Sequence, residues 1–221
     1  MRTVIFDLDG TLADTSGDLL AAANHCFRAL GHGDVLTVEQ DAGTALRGGR
    51  AMLTAGFTRL GIDFTDADLD AQYPVLLRAY GDDIATHTTL YPGAREAVSR
   101  LKASGHKVGI CTNKPEGLAE QLMAALGFRD AFDSLVGADT LPVRKPNPDP
   151  FVASVTRAGG DPKRALLVGD TKTDRDTSAN AGVPSILVTF GPGGGDMAAL
   201  KPDALMQDYA QLDDLVAGLL A

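Results

Sequence analysis

The chain has 221 residues, 44% hydrophobic and 22% charged, enough to bury a full core as one α/β domain or as one carrying an inserted lobe. A net charge of −9 offers no basic face to nucleic acid or anionic lipid, and no apolar run reaches membrane-spanning length. An anionic substrate must then be held by a few placed cations, not by a general positive field.

The first expected strand is Thr3–Phe6, in the stretch VIFDLDGTLADT. Side chains alternate along a strand, so Asp7 and Asp9 are expected on one side with Leu8 turned away. At ~4 Å and an effective dielectric near 20, two such charges repel by roughly 4 kcal/mol, so the pair calls for a neutralising partner. From about Thr15 to His87 no strand is convincing. Ser16 is expected to cap a helix with the apolar stripe Leu19, Leu20, Ala23, Phe27 and Leu30, ended by Gly31. Further helical patterns run over 38–46, 50–60 and 66–80. LRGGRAML, 46–53, sets Arg47 and Arg50 about a Gly-Gly turn that lets backbone and guanidinium approach a small acid.

After this block, short apolar runs alternate with helices, the pattern of a parallel sheet. Strands are expected at Lys107–Cys111, Ser134–Val136, Ala165–Val168 and Ser185–Val188, with a weaker one at Ala204–Met206. Helices are expected from Pro92 to before Gly105, from Pro115 to before Gly127, over Pro148–Ala158 and over Gln211–Leu220. FGPGGGD, 190–196, reads as a turn, being a poor match to any phosphate-binding fingerprint. Cys26 and Cys111 have no metal spacing and read as buried, reduced thiols. With no signal-peptide architecture at the N-terminus, a cytoplasmic location is expected.

Polar residues recur where the strands end, which is where open α/β sheets build their sites. They are Asp7 and Asp9 before Gly10-Thr11, Thr112-Asn113 after the second strand, Lys145 in VRKPNPDP, and Asp170 and Asp174 in LLVGDTKTD. Each alone has an ordinary structural reading; all four in this order do not. Together DLDGT, CTN, KPNP, GDTKTD and NAG at 180–182 resemble the haloacid dehalogenase-like superfamily of phosphotransferases over nearly the whole chain.

That resemblance implies a Rossmann-like core, 1–14 and 89–221, with a helical cap domain, 15–88, inserted after the first strand. It implies Asp7 as the nucleophile forming an aspartyl-phosphate. A metal, Mg²⁺, would be held by Asp7, Asp170 and the main-chain carbonyl of Asp9, with Asp174 in the outer shell or bound through water. Thr112, Lys145 and the N–H groups of Asn113 and Gly10 would hold the transferring oxygens. Asp9 would be the general acid for the leaving group and then the base for water. A halide leaves without a proton and an alkoxide does not, so Asp9 favours phosphate esters over carbon–halogen bonds.

No lysine precedes Lys102, so the cap supplies no Schiff base, which disfavours the phosphonate-cleaving relatives. Sugar-phosphate mutases of the superfamily use a cap lysine and an early cap histidine; the matching position here is Leu19, with His25 offset from it. His32, His87 and His106 sit at turn-like positions. The DLDGT run, the Gly-Gly cap loop and the late glycine loop look most like phosphoglycolate phosphatases. Arg47 or Arg50 would there meet the substrate carboxylate. The alternatives are another small phosphate (sugar phosphate, nucleotide or pyrophosphate), a phosphomutase, and a non-catalytic binding module. The expected partner is a small phosphorylated metabolite, with no nucleic acid and no membrane, and the expected state a monomer or homodimer. Linkers at Asp14–Thr15 and Thr88–Tyr91 are expected to let the cap open and close, and to make it the selector of substrate.

Overall fold

A computed structural model describes residues 2–192 and 196–220. In chain order the elements are β1 (Thr3–Phe6), β2 (Ala13–Asp14), α1 (Ser16–Ala29), α2 (Val38–Ala45), α3 (Gly49–Leu60), α4 (Asp66–Asp82), β3 (Thr89–Leu90), α5 (Ala94–Ala103), β4 (Lys107–Cys111) and α6 (Glu116–Ala125). They continue with β5 (Ser134–Val136), α7 (Asp149–Arg157), β6 (Ala165–Gly169), α8 (Lys172–Ala181), β7 (Ser185–Val188), β8 (Ala204–Met206) and α9 (Leu212–Leu219). The chain divides into two compact units, one of residues 1–13 with 90–221 and one of residues 14–89.

The larger unit is a Rossmann-like α/β layer. Its six-stranded sheet has the order β5-β4-β1-β6-β7-β8, and every neighbouring pair is parallel. Residues of β1, β6 and β7 are buried throughout, as expected of strands covered on both faces, and this is why their apolar runs are unbroken. Ile5, Cys111, Phe151, Val155, Ala165 and Leu167 form one core cluster between the sheet and α7. Since β4 and β6 flank β1 on opposite sides, the strand order reverses at β1. The ends of these three strands border the crevice where α/β sheets bind ligands.

One helix went unforeseen. α8 carries KTDRDTSANA, which has no apolar stripe. Its start is specified by a capping box, in which Thr171 Oγ1 accepts the Asp174 N–H and the Asp174 carboxylate accepts the Thr171 N–H. Small polar side chains, Thr177 and Ser178, make its buried face. The expected turn at 190–196 lies partly outside the described residues; Phe190, which begins it, packs between Tyr91 and Tyr209 at ring separations of 4.8 and 5.6 Å.

The unit 14–89 is built of α1 to α4, with Leu20, Ala23, Phe27, Met52, Leu53, Phe57, Leu76 and Tyr80 buried. α3 approaches α1 at Gly56, where a Cβ would lie 2.0 Å from the Phe27 ring. Three buried polar groups fix its loops. Asp18 accepts the N–H groups of His87 and Thr88, Asn24 brackets Val35 and Leu36, and Asp41 takes both Arg59 guanidinium nitrogens at 2.7 and 2.8 Å. Two expectations fail here. Ser16 is the first residue of α1 and not its cap; Thr15 holds that position, and the Ser16 hydroxyl turns back to Asp14. Leu30 is the residue that caps the C-terminus of α1 and is exposed, so it does not join the buried stripe. Both cysteines are buried and free. Among the described residues no helix is long and apolar enough to cross a membrane.

Candidate active site

Register places the first site residues. Phe6 lies level with Ile110 of β4 and Val168 of β6, so Asp7, Thr112 and Asp170 emerge together at the carboxyl edge. The N–H of Asp7 donates to the Val168 carbonyl, which extends the ladder by one residue. The chain then closes a tight loop in which the Leu8 carbonyl accepts from residues 11, 12 and 13. Asp9 therefore lies beyond the strand, and the alternation rule does not place it. Gly10 has φ +80° in this loop, and its N–H donates to the Ala13 carbonyl at 2.9 Å. Within the loop this N–H, expected to face the transferring oxygens, has the Ala13 carbonyl as its partner.

Lys145 arrives on the segment between β5 and α7 and is 3% exposed. Its Nζ lies 3.0 Å from Asp7 Oδ1 and 2.6 Å from Asp174 Oδ1. Asn113 donates its side-chain amide to the Lys145 carbonyl, tying that segment to the end of β4. Asp174 is brought in by the first turn of α8. A Cβ on Gly169 would lie 2.4 Å from Asp174 Cβ, so only glycine lets the helix start sit this close to β6. The second oxygen of Asp174 accepts the Thr171 hydroxyl at 2.5 Å and the N–H groups of Thr171 and Asp170. Asp170 Oδ1 accepts the Thr11 hydroxyl, while its Oδ2 is buried and unpartnered.

Burial, with Asp174 and Asp9 adding to it against the pull of Lys145, pushes Asp7 up to about 7. Burial and the nearby Asp174 and Asp7 hold Asp170 well above the usual carboxylate range. Burial works against the Lys145 ammonium, but Asp174 and Asp7 outweigh it and keep the lysine charged. The same desolvation pushes the Cys111 thiol up to about 12, so it is inert beside the site.

Sequence reasoning passed over Lys114. Its ammonium sits 2.8 Å from Asp9 Oδ1, with the lysine side chain 4% exposed. The signal was present: a lysine directly after Thr112-Asn113 at a strand end, the rule that selected the other four places. Thr11 and Thr171, which orient Asp170 and Asp174, were missed in the same way.

Four carboxylates face two ammonium groups here, a formal excess of two negative charges. Oxygens of Asp7, Asp170 and Asp174 lie within 4.8 Å of one another. An all-oxygen set, an orphaned buried carboxylate oxygen and a charge excess of two together fit a hard divalent cation. Of the sequence-selected arginines, Arg50 pairs with Asp66 and Asp70 of its own unit, and the exposed Arg47 donates to Thr44. His25 is exposed.

The fold gathers carboxylates at the carboxyl edge of a parallel sheet, and the comparisons give the class of protein. The haloacid dehalogenase-like hydrolase family profile matches residues 4–188, so the chain belongs to that family. It is 36% identical over 208 residues to a phosphoglycolate phosphatase of Agrobacterium fabrum, covering 94% of this chain and 89% of that one. It is 35% identical to one of Cereibacter sphaeroides over the full length of both. A crystal structure of a predicted phosphoglycolate phosphatase from Haemophilus somnus superposes with a TM-score of 0.85 at 24% identity, over 97% of each chain. The chain is a phosphoric monoester hydrolase of the phosphoglycolate phosphatase-like kind.

Proposed function

We propose that the enzyme hydrolyses phosphoglycolate, or a close two-carbon analogue, through an aspartyl-phosphate on Asp7. The observation that carries the mechanism is the Lys145 bridge between Asp7 and Asp174 beside the orphaned oxygen of Asp170. The relatives named above support the substrate.

Asp7, Asp170 and the Asp9 carbonyl would hold Mg²⁺. Both Asp174 oxygens already accept hydrogen bonds, so that residue serves the outer shell and holds Lys145. When bound, the cation neutralises phosphate charge and keeps the nearby carboxylates ionised. The Asp7 carboxylate attacks phosphorus, forming the acyl-phosphate bond as the bond to the leaving oxygen breaks. Lys145, Thr112 and the Asn113 N–H hold the charged equatorial oxygens. Asp9, formally a carboxylate beside Lys114, would take up a proton from solvent as the phosphate binds, give it to the departing alkoxide and then take one from the water that hydrolyses the acyl-phosphate. Phosphate leaves, and Asp7 is restored. The unit 14–89 acts as the cap, and Arg47 is its candidate for the substrate carboxylate. Arg50 must first leave two carboxylates, which weakens its candidacy.

The test is phosphate release from p-nitrophenyl phosphate and phosphoglycolate with Mg²⁺, with EDTA, and with Asp7→Asn. Release with Mg²⁺ is expected, with loss of more than about 1,000-fold on chelation or substitution. Release that survives EDTA would end the metal reading.

A further inference from the structure

The loop from Leu8 to Ala13 carries two groups that the proposed metal site needs. One is the Asp9 carbonyl; the other is the Thr11 hydroxyl, which donates to Asp170 Oδ1 at 2.9 Å. The loop's own bonds hold it unevenly. Three N–H groups share the Leu8 carbonyl, and the one from Thr11 is the longest, 3.3 Å against 3.0 and 3.2 Å from Leu12 and Ala13. Thr11 is held more firmly from outside. Tyr209 donates its hydroxyl to the Thr11 carbonyl at 2.7 Å, a buried bond between residues 198 apart in the chain.

Tyr209 is itself fixed. It is 1% exposed, its ring packs on Phe190 with centroids 5.6 Å apart, and its carbonyl accepts the Arg100 guanidinium at 3.2 Å. Phe190 leads into Gly191, where a Cβ would lie 2.9 Å from the Gly10 carbonyl and 3.6 Å from Asp170 Cβ. The segment packed on Tyr209 therefore lies against the same loop and the same carboxylate.

We propose that Tyr209 is a positioning residue for the metal site, acting through Thr11 on Asp170. This rests on the Mg²⁺-dependent phosphatase reading above. The tyrosine hydroxyl fixes the peptide that follows Thr11, and with it the direction of the Thr11 side chain. Thr11 then holds Asp170 by Oδ1 and leaves the unpartnered Oδ2 free for the cation. Groups that orient a metal ligand commonly count for about 10–100-fold in metal affinity, and a group one bond further out counts for less.

The test reads metal affinity, by calorimetric titration of Mg²⁺ into the metal-free protein at a temperature well below Tm. Tyr209→Phe removes one oxygen and keeps the ring against Phe190. It is expected to raise the Kd for Mg²⁺ by about 3–10-fold, and Thr11→Val by about tenfold or more. Added to Thr11→Val, Tyr209→Phe should change the Kd by less than about twofold, because the hydroxyl it acts through is already gone. A merely structural tyrosine would lower Tm in EDTA and leave the Kd of the folded protein where it was.

An unchanged Kd in Tyr209→Phe overturns the proposal, as does an effect of full size in the Thr11→Val background. If Thr11→Val does not fold, Thr11→Ala takes its place. Failure of Tyr209→Phe to fold, or of both Thr11 variants, makes the contact structural and overturns the proposal. A parent protein that takes up no Mg²⁺ overturns the metal reading itself, and this proposal with it.

Discussion

At the scale of single residues, the site is a collection of carboxylates in a place that disfavours them. Asp170 shows the conflict most directly, with one oxygen bonded to Thr11 and the other buried without a partner. Removing its charge should relax the metal-free protein. Asp170→Asn is expected to gain about 1–2 kcal/mol in EDTA, or roughly 2–8 °C in Tm, and to lack the Tm rise with Mg²⁺ that the proposed metal site predicts for the parent. Thermal denaturation of both proteins with and without Mg²⁺ checks this, and an equal Mg²⁺ response would refute it. Asp7, Thr112 and Asp170 were legible in the sequence because each directly follows a strand, whereas Lys145, on the segment between β5 and α7, and Asp174, in the first turn of α8, were legible from the KPNP and GDTKTD runs. What escaped was the pairing. Nothing in DLDGT says that Asp9 meets Lys114, which depends on where the end of β4 lies, or that the Gly10 N–H closes a loop, which depends on how residues 8–13 fold back.

Among the elements, strands were the easiest to read and α8 the hardest, for one physical reason. A strand covered on both faces must be apolar throughout, so Val4–Phe6 and Leu166–Val168 announce themselves. α8 spends its positions on Asp174 and on small residues that allow close packing, so its periodicity vanishes and only the Thr171–Asp174 box remains. A second element pair supports a pH prediction. Asp41 on α2 accepts two bonds from Arg59 on α3, and with the Thr37 N–H these outweigh burial and hold its carboxyl below the usual range. A depressed folded-state value means that the pair stabilises above the unfolded pKa and loses its effect as pH falls through the folded one. Asp41→Ala should therefore cost about 2 kcal/mol near neutrality, and the gap from the parent should close in acid below the ordinary carboxylate range. Denaturant unfolding across pH measures it; a gap independent of pH would contradict the argument.

For the whole molecule, the sequence conveyed an α/β core interrupted by helices because the change of period at about Thr15 and its return near His87 are abrupt. The structure divides the chain into units of 1–13 with 90–221 and of 14–89. Reaction and selection are proposed to separate along that division. Exchange of residues 15–88 for the equivalent part of a relative with another substrate should then move the substrate profile while p-nitrophenyl phosphate turnover stays within about tenfold. An unchanged profile would place selection in the larger unit.

The central place of β1 carries a cost during synthesis. Both of its sheet neighbours, β4 and β6, are encoded far downstream. On the ribosome Val4–Phe6 must wait for about a hundred further residues, some 5–20 s at ordinary elongation rates, before a strand exists to pair with it. Through that interval the nascent chain carries an apolar segment with open edges, followed at once by Asp7 and Asp9, whose charges oppose self-association of that stretch. The acids proposed to serve the reaction in the finished enzyme thus also guard the unfinished one.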